Sequence, residues 1–81
     1  MIPHEEIIKR GFRETGRKAG KTRYTRGAEM ILHKDYGPSP RWANDAGRHI
    51  LQYFRNGRKV SGGTAWYAIL AKYVDVQINR S

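Results

Sequence analysis

The sequence predicts a small all-α domain of about four helices, and three observations lead there. Between Ser39 and Asn56 the chain reads SPRWANDAGRHILQYFRN, and its apolar residues gather on one side of a helical wheel. Shorter stretches at residues 3–14, 25–36 and 64–79 also space apolar residues three and four apart. Gly37-Pro38 and Asn56-Gly57 punctuate these stretches as stops. Eighty-one residues make one domain, 1–81, which buries only roughly 60–65% of its unfolded surface.

The first helix is expected over 3–14. Pro3 suits a first turn, Glu5 and Glu6 complement the helix dipole, and Glu5–Lys9 and Glu6–Arg10 are favourable pairs four residues apart. His4, Ile7, Ile8 and Phe12 share its apolar face, where His4 reads as a packing or capping residue rather than a ligand. Residues 16–26, GRKAGKTRYTR, have no period. Five of these eleven residues are basic and none is acidic, which predicts a flexible basic loop. From Lys9 to Arg26 the chain holds eight of its sixteen cations.

A second helix is expected over 25–36, with Ala28, Ile31, Leu32 and Tyr36 as its stripe and Gly37-Pro38 as its end. The third begins at the cap Ser39, with Pro40 in its first turn. Only Gly37 and Pro38 separate the two, a layout that resembles a helix-turn-helix pair. Arg41, Asn44, Arg48, Gln52 and Arg55 fall on the polar side of the third helix. Residues 55–63 form the next loop, which carries Arg58 and Lys59 and a tight-turn dipeptide at Asn56-Gly57. The last helix, 64–79, is read through about Val74. Beyond it, residues 74–79 alternate like a short β segment. This helix is apolar nearly all round, which suits a central position or a homodimer interface through 64–79.

Charge is the main compositional fact. Sixteen Lys plus Arg against seven Asp plus Glu leave +9, an excess that a polyanion relieves. No apolar run approaches a membrane span, and the N-terminus lacks the layout of a signal peptide. With no cysteine there is neither a disulfide nor a thiolate metal site. A soluble cytoplasmic protein without membrane partners is therefore expected.

Chemistry beyond binding finds little support. Gly16 to Thr22, GRKAGKT, ends like a phosphate-binding loop but has three residues between its glycines where the motif needs four. His4, His33 and His49 lie apart in sequence, without metal-ligand spacing. No carboxylate pair or activated nucleophile stands out. The expectation is no enzyme, no cofactor and no metal.

What remains is a nucleic-acid-binding protein, duplex DNA ahead of RNA, with a regulatory or architectural role. Arg17, Lys18, Lys21, Arg23 and Arg26 would hold phosphates, with Tyr24 free to stack. Arg41, Asn44, Arg48, Gln52 and Arg55 would enter a groove, with Arg58 and Lys59 extending the contact. Two alternatives share this charge pattern. One is a small inhibitor or adaptor of viral or mobile-element type, docking on an acidic protein. The other is a structural subunit of a nucleoprotein particle.

Overall fold

Five β-strands, rather than four helices, form the body of the protein. The computed structural model describes residues 2–37 and 48–75. Helix α1 (Pro3–Lys9) leads into β1 (Arg13–Lys18), β2 (Lys21–Arg26), β3 (Glu29–Asp35), β4 (His49–Arg55) and β5 (Arg58–Gly63). Helix α2 (Trp66–Ile69) follows and continues as a π-helix over Leu70–Val74. The strands make one antiparallel sheet in the order β1-β2-β3-β4-β5, each paired with its sequence neighbour.

Tight turns set this meander. Ala19 and Gly20 link β1 to β2 with φ of 54° and 77°, and Asn56-Gly57 links β4 to β5 with 53° and 78°. Positive φ at both central residues marks the hairpin turn whose twist matches paired strands. Gly27, φ 58°, opens the turn from β2 to β3.

Alternation along the strands then sorts the side chains. Thr22 and Tyr24 of β2, Ile31 and His33 of β3, and Leu51 and Tyr53 of β4 are buried on one face. Ile7, Phe12, Ile69, Leu70 and Val74 close over that face and complete the core. Leu70 and Val74, four residues apart on this last helix, point the same way, inward. The helices thus share one side of the sheet, an arrangement common for antiparallel sheets, which tolerate one solvated face.

The all-α expectation is overturned, and with it the helix-turn-helix pair. Residues 25–36 span the end of β2, the Gly27 turn and β3. Of the expected third helix, residues 49–55 are β4, while 39–47 lie outside the described residues. The basic loop 16–26 is ordered as the end of β1, a two-residue turn and β2. The loop at 55–63 is the β4–β5 hairpin. The first helix stops at Lys9, and Gly11 at φ 93° turns the chain into β1. The last helix is shorter than expected but reaches Val74, and the tail 76–81 lies outside the described residues. Among the described residues no helix is long and apolar enough to cross a membrane.

Candidate nucleic-acid interface

The face of the sheet opposite the helices carries three cross-strand rows. At one end Lys18, Lys21, Lys34 and Ile50 stand side by side on β1 to β4. The middle row runs Gly16, Arg23, Leu32, Gln52 and Gly62. The third runs Arg13, Thr25, Met30, Phe54 and Lys59. Directly opposite side chains in such a sheet lie about 4.5–5.5 Å apart at Cβ, so each row is a contiguous line of contact.

Six cations therefore share this face: Arg13, Lys18, Lys21, Arg23, Lys34 and Lys59. No acid of the described residues joins them. Glu5, Glu6 and Asp75 are on helices, and Glu14, Glu29 and Asp35 occupy strand positions of the helix-covered face. The row Lys18-Lys21-Lys34 sets like charges directly opposite one another, which costs stability unless an anion lies across them.

Between the cations runs an apolar strip of Met30, Leu32, Ile50 and Phe54, all half-buried with no described element over them. Tyr36, 51% exposed, extends it past Lys34, whose Nζ sits 4.7 Å from the Tyr36 ring centre. Two hollows indent the surface. One of about 480 Å³ is bordered by Gly16, Lys18, Lys21, Arg23 and Leu32. Its neighbour, about 170 Å³, adjoins Lys34, Tyr36, Ile50 and Gln52 and shares Lys21 and Leu32. Glycines keep both ends of the middle row low. A Cβ on Gly62 would meet Lys59 Cε at 3.1 Å, and one on Gly16 would meet the Arg23 guanidinium at 3.4 Å. Arg23 instead lies across β1 and donates from Nε to Thr15 Oγ1 at 3.0 Å.

The residues expected to bind divide sharply. Lys18, Lys21, Arg23, Gln52 and Lys59 share the open face. Arg17 sits opposite Thr22 on the other face, exposed at the sheet edge and 3.4 Å from Glu14. Arg26 is held by Glu29 through two hydrogen bonds of 2.9 Å, donates to the Arg10 carbonyl at 2.6 Å and stacks on Phe12. Tyr24, 1% exposed, bonds His4 Nδ1 through its hydroxyl at 2.8 Å, which leaves no ring face for a base. Arg55 lies over Tyr53, Arg58 faces Arg55, and Arg48 pairs with Asp35 at 3.0 Å. Arg41 and Asn44 lie outside the described residues. The groove-reading helix face does not exist over 49–55, where alternate residues point to opposite sides of a sheet.

Sequence reasoning missed Arg13, Lys34, Tyr36 and the apolar strip. A period-two reading of 21–26, 29–35 and 49–55 would have placed Lys21, Arg23, Lys34 and Phe54 on one side. The covered face has polar chemistry of its own. His33 Nε2 and His49 Nδ1 are 3.1 Å apart, and Asp35 lies 4.0 Å from His49. Burial holds the His33 imidazole below its ordinary range, and neighbouring His49 adds to the effect. Among the described residues no group of three or more His, Cys, Asp or Glu is placed to hold a metal ion. No family model, curated protein or solved structure matches the chain.

Proposed function

We propose that this protein binds nucleic acid through the open face of its sheet, in a regulatory or architectural role in the cytoplasm. One observation carries the reading: six cations and no described acid share a single face, with three lysines in direct cross-strand line. A solubility surface needs no such segregation, since interspersed charges of both signs serve it as well. Phosphates bridging the lysine row would replace mutual repulsion with charge-assisted contacts. Duplex groove reading drew on a recognition helix, and strand β4 stands in its place.

Binding should weaken steeply with salt, the log–log slope growing by about 0.7–0.9 per phosphate contacted. Replacing Lys18, Lys21 and Lys34 together by Gln should flatten that slope by about two to three such increments in fluorescence anisotropy. A slope unchanged by the triple substitution would remove the lysine row from the interface. An acidic protein would meet the same cations, and a nuclease-resistant acidic partner in a pull-down would replace nucleic acid as the ligand.

A further inference from the structure

We infer that the occupant of the open face is an unpaired nucleic-acid strand, its bases on the apolar strip and its phosphates on the flanking cations. This rests on the nucleic-acid reading above. The strip of Met30, Leu32, Ile50 and Phe54 lies on β3 and β4, with Lys21 and Arg23 beside it on β2, Lys59 beside it on β5 and Lys34 directly opposite Ile50. A phosphate-only ligand would leave that apolar middle against charged oxygens or trapped water.

Width separates the two kinds of strand. Five strands at about 4.8 Å span roughly 19 Å, wider than the major groove of about 12 Å. The sheet face therefore does not fit the groove of an undistorted duplex, and a regular duplex lying across it keeps its bases stacked inside, away from Phe54. A single strand has no such constraint. Its splayed bases offer π-faces to Phe54 and Tyr36, and a sheet platform holds roughly two or three bases at once. The two adjoining hollows suit alternate parts of one strand. The larger is edged by Lys18, Lys21 and Arg23, and the smaller holds Ile50 and Tyr36. Gly62 and Gly16 leave room for the Lys59 and Arg23 side chains to lie across the two ends of the middle row.

The test compares a single strand of about sixteen nucleotides, as oligo-dT or oligo-U, with a duplex of the same length, at one salt concentration. The unpaired strand should bind at least about tenfold more tightly. Phe54→Ala should weaken it about 5- to 150-fold. Phe54→Leu keeps the apolar volume and removes the ring, and it should weaken the single strand while leaving the duplex within about twofold. Unchanged melting of both variants confirms that folding is intact, since Phe54 lies outside the buried core. If duplex and single strand bind equally and Phe54→Leu changes neither, this inference falls while nucleic-acid binding stands. If neither binds at low salt, the underlying reading falls.

Discussion

A cation's worth to this protein depends on what it touches. Arg26 and Lys21 lie on the same strand, five residues apart, yet Arg26 is spent on Glu29 and Phe12 while Lys21 is exposed among lysines. His33 shows the same dependence for a titrating group. Burial first, and His49 second, lower its affinity for a proton, with Asp35 opposing and His4 adding a little. The folded protein therefore binds this proton less readily than the unfolded chain. The stability it confers is complete above about pH 6.5 and is lost as pH falls below that value. The Asp35 carboxyl, held low mainly by Arg48, acts only in the more acidic range. The urea midpoint should accordingly drop between about pH 7.5 and pH 5, and His33→Gln should flatten the drop. An equally steep drop in the variant would assign it to other groups.

At the scale of the element, strands β3 and β4 explain why their sequences read as helix. Ile50-Leu51 and Tyr53-Phe54 give apolar residues at i, i+1, i+3 and i+4, the spacing of an amphipathic helix. In the sheet the two pairs split, Leu51 and Tyr53 into the core and Ile50 and Phe54 onto the open face. Met30-Ile31-Leu32 in β3 divides in the same way. An ordinary solvated face would be polar and the alternation plain, so the residues that obscured the fold belong to the candidate interface. One turn signal was legible: Asn56-Gly57 reads as a tight turn and links β4 to β5, whereas the Ala19-Gly20 turn lay inside the expected basic loop. The Gly27 turn was hidden inside an apparent helical stripe. The lysine row gives this scale its prediction. Lys21→Gln should stabilise the free protein by about 0.2–0.5 kcal/mol at low salt, a gain that shrinks as salt screens the repulsion. The same variant should bind nucleic acid more weakly. A loss of stability in thermal melts would show that the row is not under repulsion.

Across the whole molecule, the first helix and the last described one meet through Arg10. Its guanidinium donates to Asp75 at 2.6 and 3.1 Å and to the Glu6 side chain at 3.0 Å, which ties α1 to the π-helix. The Arg10 side chain is 10% exposed and Asp75 34%, so the contact is partly shielded from water, and its carboxylate partners, Asp75 first, hold the arginine firmly charged. Arg10→Ala should cost about 1–3 kcal/mol in denaturant unfolding, and Arg10→Lys should restore only part, since an ammonium cannot form the two-pronged bond. Lys9→Ala, an exposed neighbour, should stay within about 0.5 kcal/mol. Equal effects at both positions would deny the clamp.

The sequence by itself determined the size of the charge excess, its density between Lys9 and Arg26, the start of the first helix and the turn at Asn56-Gly57. Each is local or additive, set by composition or by a few adjacent residues. Only the tertiary structure decided which cations share a face and which are bound to carboxylates or rings. Those outcomes depend on strand register, which sets residues as distant in the chain as Glu29 and Arg55 side by side. A linear pattern with apolar residues on both sides of a strand does not encode that register, and so helix and sheet remained equally compatible with the chain.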